Sequence, residues 1–397
     1  MKTCLLIVER DFLNLHVGVR RVILHCWQEL ERRGYRVAVA APDAGRLRLG
    51  QFDLRRILDS AKRDRADAPQ WTSANRVLRR TFFPKIIHGR WTTRVVSLDD
   101  YDLTIITNPW LCRSGLPEGR ISAAIVYDMV PNMIAAGVLD FGRPLDVYDF
   151  AHAHDVGYQF YQARAEKILC ISESTRHDFL GLYQGDAAIR RKTKAFLPYS
   201  APAMPAPKRR PPLDGQNRRL LMVNVLDPRK NFEGVRNALS SVKVGVPFDI
   251  DIVGAERIAL PEALRFLDEL ADTGRDVRWY RQASDACLAR LYADADLLMF
   301  PSLYEGLGLP ILEAQTYGVP VICSNLSSCP EINMNPELCL DPGAHSLMGS
   351  MMVNILTEQA ASQAEGGQLQ ARLAGYIAST PTFSDVLGLD EASERVA

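Results

Sequence analysis

A regular alternation in the second half of the chain constrains the fold more than any other feature. "RRLLMVNV" (218–225) is an apolar, β-rich run, "NFEGVRNALSS" (231–241) has helical spacing, and "FDIDIVG" (248–254) is strand-like again. The pattern continues through the helical "PEALRFLDELADTG", with Gly274 as its C-cap, the strand "VRWY", the helix "DACLARLYADA" and the strand "DLLMF". Strands and helices in this order, joined by short connections, predict a parallel sheet covered on both faces, because parallel neighbours need a crossover.

The first half repeats the theme with more interruption. "TCLLIV" (3–8) reads as a strand. "VRRVILHCWQELERRG" (19–34) sets Val19, Val22, Ile23, Cys26, Trp27 and Leu30 on one helical face, at spacings of three and four. Further strands are expected in "YRVAVAAP" and at 102–109, 123–131 and 167–172, whereas residues 43–98 are less regular and rich in arginine. Between the halves lies "APAMPAPKRRPPLDGQ" (201–216), whose proline content suits a semi-rigid linker. The expected fold class is therefore α/β: two doubly wound, Rossmann-like domains, residues 1–200 and 217–380, with a tail (381–397) packing back toward the N-terminal domain. Ligands of such sheets bind beyond the C-terminal strand ends, so the cleft between the domains is the expected site.

Bulk properties narrow the class. The 397 residues are 47% hydrophobic and 24% charged, as in soluble globular proteins, and no apolar run is long enough to span a bilayer. "MKTCLLIVERDF" has too short an apolar core for a signal peptide and reads as a first buried strand. The eight cysteines form no C-x-x-C pair and read as small buried hydrophobes in a reducing cytoplasm. Net charge is zero but divided: residues 1–200 carry 30 Lys+Arg against 22 Asp+Glu, and residues 201–397 carry 17 against 25.

The chemistry concentrates in "FPSLYEGLGLPILEAQTYGVPVICS" (300–324). Pro310 suits the first turn of a helix and Gly318 its C-cap, which puts a short helix at about 310–317. Its N-terminus offers unpaired N–H groups and the positive end of the dipole, and Gly306 and Gly308 permit close approach to the backbone. That is a seat for an anion, most readily a phosphate. Glu305 and Glu313 flank it. Either carboxylate alone is explained by the helix dipole, at ~0.3–1 kcal/mol. Together, in "E-G-L-G-L-P-x-x-E-A" after an apolar strand, they fit a ligand carrying both phosphates and hydroxylated rings, a nucleotide sugar.

A second constellation is "VLDPRKNFEGV" (225–235), where Arg229 and Lys230 stand at a strand-to-helix turn. Two cations beside a helix N-terminus suit a diphosphate, although a solvated pair is the simpler reading of the doublet alone. "DIVGAE" (251–256) puts Gly254 at another strand end, and "ISESTRHDF" (171–179) and "SSCPEI" (327–332) carry polar groups, Glu331 among them.

Across these motifs the chain resembles family 4 of the glycosyltransferases, retaining enzymes of the GT-B fold with a glutamate–seven residues–glutamate signature. The resemblance runs in good order through 218–332 and more thinly over 1–200. It implies that Glu305 contacts the donor sugar's hydroxyls and Glu313 the nucleotide ribose. By the same resemblance Arg229 and Lys230 hold the donor diphosphate, and Gly254, Gly306, Leu307, Gly308 and Leu309 face the donor. The family often has His-Asp before an apolar pair and proline, the histidine near the reacting sugar. Here "VYDMVP" has Tyr127 before Asp128, which is carried over as the catalytic-side carboxylate. Tyr127 can hydrogen-bond a sugar hydroxyl but supplies no cation near neutral pH. The family's glycine-rich loop after the first strand is reduced to Gly18. Gly18 and Tyr127 are the acceptor-side candidates.

The resemblance implies transfer of a hexose, mannose from GDP-mannose being favoured, to a glycan or lipid-linked acceptor in polysaccharide synthesis. A non-catalytic nucleotide-sugar-binding subunit on the same scaffold is the alternative. No metal is expected: "DID" (249–251) and "DAD" (294–296) match the D-x-D pattern of metal-dependent sugar transferases but fall within or beside strands. No G-x-G-x-x-G or P-loop is present. His152 and His154 are expected to be partly exposed and non-catalytic. The basic, aromatic segment "RVLRRTFFPKIIHGRWTTR" (76–94) suits peripheral contact with an anionic membrane at its cytoplasmic face, unless its aromatics are core. No nucleic-acid-binding motif accompanies it.

Overall fold

The computed structural model describes residues 2–14, 17–62, 68–79, 89–142, 147–200, 217–242, 246–357 and 361–389. The expected linker, 201–216, and the centre of the basic segment, 80–88, lie outside them.

The strands run β1 (Thr3–Ile7), β2 (Arg36–Asp43), β3 (Arg46–Phe52), β4 (Trp71–Thr72), β5 (Gly89–Val96), β6 (Leu103–Ile106), β7 (Ile121–Val126), β8 (Ala165–Cys170) and β9 (Thr193–Ala195). They continue with β10 (Arg218–Val223), β11 (Phe248–Val253), β12 (Val277–Tyr280), β13 (Leu297–Phe300), β14 (Val321–Ser324) and β15 (Cys339–Leu340). Two sheets form, in the orders β5-β3-β2-β1-β6-β7-β8-β9 and β15-β14-β13-β10-β11-β12-β4. From β2 to β9 and from β15 to β12 all neighbours are parallel, and antiparallel pairs occur only toward one edge of each sheet. Each sheet is thus the doubly wound, Rossmann-like sheet that the strand–helix alternation predicts.

The central strands show why. β7 is buried at all six positions and β13 at all four, as strands covered on both faces must be. The first-domain helix spans Val17–Arg32 and buries Val22, Ile23, Cys26, Trp27 and Leu30. The helix expected from "PEALRFLDELADTG" spans Leu260–Asp272, and Gly274 follows it at φ +83°.

The irregular stretch 43–98 holds a departure from the expected layout. β4 lies within the first 200 residues but pairs with β12 of the second sheet, Trp71 opposite Trp279. Both tryptophans are buried there, so the second domain borrows an edge strand from the first half of the chain. Arg76 follows it, ion-paired to Asp272 (2.8 Å) on the second-domain helix. Trp91 stacks edge-on against Phe52, ring centroids 5.0 Å apart, and Arg90 bonds Gln51 (3.0 Å). Part of the basic, aromatic surface expected at 76–94 is thus turned into the protein.

At the chain's other end, the helix Phe383–Leu387 docks on the first domain, where Phe383 meets Phe196 (5.4 Å) and Lys167 donates to the Val386 carbonyl (2.9 Å). All eight cysteines are free thiols, seven of them buried. No helix among the described residues is long and apolar enough to cross a membrane.

Candidate functional site

The C-terminal ends of β7, β10 and β13 meet where the two domains face each other. After β10 the chain turns through Pro228–Lys230, and Asn231, in the left-handed region (φ +59°), caps the helix Phe232–Ser240 by accepting from the Gly234 N–H. The Arg229 carbonyl accepts from the Leu303 N–H (2.8 Å), tying this turn to the end of β13. The turn's two cations are thereby presented at the cleft.

Lys230 ion-pairs with Glu305, both nearly buried, and its ammonium lies 4.9 Å above the Phe300 ring. Arg229 is held by Asp227 (3.1 Å), which also faces Arg257 (3.5 Å). Burial alone would raise the Asp227 carboxyl. The Arg229 guanidinium, through charge and hydrogen bonds, holds it below the usual carboxylate range instead. Asp128, two residues past β7, comes from the opposite domain. Burial pushes its carboxyl above the ordinary value, Arg229 opposes this, and Glu305 adds to it. Asp128, Arg229, Lys230 and Glu305, scattered over nearly 180 positions, thus form one electrostatic cluster across the cleft.

Glu305 is fixed from behind. Its N–H donates to Ser327 Oγ (2.9 Å) and its carbonyl accepts from Ser328 Oγ (3.1 Å). Gly308, at φ +89°, then starts the helix Leu309–Thr316 with no side-chain cap, which leaves the N-terminus as the expected anion seat. Leu309 is partly buried, while the Leu307 side chain is in the core, so only its backbone can face a ligand.

Several candidates sit differently from expectation. Gly306 was expected to admit a ligand's close approach; in the structure the other domain takes that space. A Cβ there would stand 2.1 Å from the Tyr127 carbonyl oxygen, and the Gly306 carbonyl accepts from Thr175 Oγ1 (3.0 Å). Tyr127 turns into the first-domain core, where its buried hydroxyl neighbours Cys26 rather than the cleft. It follows Ala123 and Ile125 in the two-residue alternation of β7, and that face is the one packed on the first helix. Gly254, at φ +114°, packs on Asn224 and donates to the Tyr280 carbonyl (2.9 Å), so its backbone is committed to joining strand ends. Gly18 lies in the first turn of the helix Val17–Arg32.

Glu313 has partners that sequence reasoning missed. Arg21, from the first-domain helix, ion-pairs with it and reaches Asp285 as well (3.0 Å), and Tyr292 donates to its other oxygen (2.8 Å). The only sequence signal was the doublet Arg20-Arg21 on the polar face of an amphipathic helix. The two lesser motifs do meet. Glu331 accepts from the Glu173 and Ser174 N–H groups (3.0 and 3.1 Å), capping the helix Glu173–Leu182 from the opposite domain.

One carboxylate of each D-x-D match acts within the second sheet. Asp251 receives both ends of the Arg278 fork (2.7 Å each), and Asp296 pairs with Arg218 (2.8 Å). Of the two histidines, His152 is exposed, but His154 is buried beneath Trp110 and Phe150, which corrects the expectation that both are partly exposed.

Residues 205–360 match the family model "Glycosyl transferases group 1". The chain is 31% identical to O-antigen chain mannosyltransferase B of Escherichia coli over 186 residues, 45% of this chain and 48% of that protein. It is 30% identical to the serotype-specific mannosyltransferase WbdA of Escherichia coli over 145 residues, 36% of this chain and 18% of that protein. It thus spans about half the length of the first relative and under a fifth of the second. Among solved structures, the glycosyltransferase WaaG is similar with a TM-score of 0.58 at 16% identity, covering 96% of each chain. Anabaena HepE in complex with UDP-glucose is similar at 0.61 and 13%, covering 98% of this chain and 97% of that one. At these identities the likeness concerns the fold, which is GT-B.

Proposed function

We propose that the protein is a retaining glycosyltransferase that moves mannose from GDP-mannose to a glycan or lipid-linked acceptor in surface polysaccharide synthesis. The observation that carries this reading is the cleft cluster of Asp128, Arg229, Lys230 and Glu305, of which the last three lie inside the segment matching group 1 glycosyl transferases. Two E. coli mannosyltransferases among the relatives favour mannose as the sugar.

On this reading Arg229 and Lys230 offset the charge that develops on the departing diphosphate, a preorganised electrostatic effect in a site largely shielded from water. Glu305 accepts hydrogen bonds from the donor sugar's hydroxyls. The acceptor hydroxyl attacks from the face the diphosphate leaves, which preserves configuration, and a diphosphate oxygen takes the proton. No protein nucleophile and no metal is required. Asp128 sets the local field from the acceptor's side. The enzyme would work in the cytoplasm. Segment 76–94 would contribute less to contact with anionic lipid than its composition suggests, since Arg76 and Trp91 are engaged within the protein.

The test is transfer of labelled hexose from GDP-mannose, UDP-glucose, UDP-galactose, UDP-N-acetylglucosamine and dTDP-rhamnose to lipid-linked acceptors, with the product's anomeric configuration read by NMR. GDP-mannose should be used with retention, and Lys230→Ala or Arg229→Ala should cut turnover by ~10²-fold or more. Nucleotide-sugar binding without transfer from any donor would point to a non-catalytic binding subunit.

A further inference from the structure

We propose that a pocket in the first domain is a glycan subsite, in which a hexopyranose of the acceptor stacks on Trp110 and Phe150 while Glu9, Asp149 and Arg113 receive its hydroxyls. The assignment of an acceptor rests on the transferase reading above; the sugar-binding surface itself does not.

The surface is built by one close approach. The helix Tyr148–Arg164 carries Phe150, His154 and Tyr158 at i, i+4 and i+8, one stripe of its face. Gly157, one turn along, lets that helix lie on the turn Pro109–Ser114, since a Cβ there would stand 2.2 Å from the Pro109 carbonyl oxygen. The approach brings Trp110 parallel to His154, centroids 5.4 Å apart at 12°, and tilts it against Phe150 at 5.3 Å. His154 is buried with no hydrogen-bond partner at either ring nitrogen among the described residues. Burial lowers it to about 4, so the ring backing the stack is uncharged near neutral pH. Trp110 is pinned from its edge as its indole N–H donates to Glu9 (2.9 Å).

This arrangement leaves an aromatic side chain where a protein gains nothing by exposing one. Phe150 is 47% exposed beside a cavity of about 610 Å³. That volume falls in the ~300–1,000 Å³ range of small-ligand sites. The cavity is lined by Trp110 and Phe150 and by three charged groups, Glu9, Arg113 and Asp149. The mixture selects the ligand class. An alkyl chain would strip water from three charges and return no hydrogen bonds. A phosphate would meet two carboxylates for one arginine. A pyranose has an apolar C–H face for the rings and an edge of hydroxyls that both donate and accept.

The position fits an acceptor. Glu9 follows β1, Trp110 follows β6 and Asp128 follows β7, and these strands are successive neighbours in the sheet. At ~4.8 Å between strands, the strand ends that lead to Glu9, Trp110 and Asp128 span about 10 Å. That is a reach of one or two sugar rings from the reacting centre.

The experiment is titration of the purified protein with α-mannotetraose and maltotetraose, without donor, by saturation-transfer NMR and tryptophan fluorescence. At least one tetrasaccharide should bind. Phe150→Ala should weaken it about tenfold, the order expected for one aromatic face of contact, with GDP binding and melting temperature unchanged. Asp149→Asn, on the exposed rim, should weaken it less, and both variants should raise the acceptor KM more than they lower kcat. If neither sugar binds the wild-type protein, or both bind Phe150→Ala equally well, the subsite is overturned. Phe150-dependent sugar binding in a protein that transfers no hexose would instead sink the transferase reading and leave the subsite standing.

Discussion

Arg21 of the first domain and Glu313 of the second form an ion pair across the cleft, and Tyr292 holds the other oxygen of the same carboxylate. Glu313 is the residue that we propose holds the nucleotide ribose. Its acceptor capacity is already shared between an arginine and a phenol. A ribose hydroxyl must therefore compete with Arg21. Replacing Arg21 with alanine should release Glu313 and tighten nucleotide binding several-fold, whereas Glu313→Ala should weaken it. Calorimetry with GDP and GDP-mannose reads both. Weaker binding in Arg21→Ala would mean that the arginine orients the carboxylate for the ligand instead of competing with it.

Gly306→Ala should keep the domains apart. The added Cβ would lie 2.1 Å from the Tyr127 carbonyl, and neither backbone can yield without opening the interface. Turnover should collapse, the radius of gyration by small-angle scattering should increase, and the melting of each domain should change little. Wild-type turnover in this variant would show that the close contact is dispensable for catalysis.

The fold was legible in the sequence because doubly wound sheets write themselves locally. Central strands such as β13 are continuous apolar runs, and the crossover helices show the 3.6-residue period. The setting of Glu305 and Glu313 was legible for the same reason, as strand, glycine turn and helix are consecutive. What escaped was carried by long separations. Trp71 joins the second sheet opposite Trp279, and Arg21 meets Glu313, 292 positions away. Neither contact leaves a periodicity in its own segment. Tyr127 was misplaced because its neighbour Asp128 does reach the cleft, and successive residues at a strand end point to opposite sides. Gly306 read as room for a ligand, when a backbone from the other domain needed the same room.

Transfer activity should survive EDTA. One carboxylate of each D-x-D match is engaged within the protein: Asp251 takes the Arg278 fork and Asp296 takes Arg218. Asp251→Asn should therefore lower the melting temperature, by leaving the half-buried Arg219 and Arg278 without their shared carboxylate acceptor, without creating a metal requirement. Activity lost in EDTA and restored by Mn²⁺ would overturn this assignment.

Glu29 should make stability fall with acid over a defined window. Its carboxylate accepts from the Ser384 N–H (2.9 Å) and lies 3.2 Å from His25 Nε2, clamping the C-terminal helix to the first-domain helix. Burial by itself would raise the group. The neighbouring His25, the Ser384 N–H bond and the nearby Thr382 outweigh burial and bring it from the ordinary 4.5 down to about 2. A carboxyl depressed in the folded state binds its proton more readily when unfolded. Its stabilisation is therefore complete above about pH 4.5 and lost as the pH falls toward 2. The linkage is worth at most on the order of 3 kcal/mol, and the side chain is buried enough that solvent screening takes little from it. Urea melts of wild type and Glu29→Gln should differ most above about pH 5, and the gap should shrink as the pH falls from 4.5 toward 2. Amide exchange at Phe383 and Ser384 should speed up in the variant at neutral pH, before the sheet amides of β7 respond. A stability gap that stays constant from pH 7 to 3.5 would mean that the clamp holds through packing of Phe383 on Phe196, with the carboxylate contributing no charge effect.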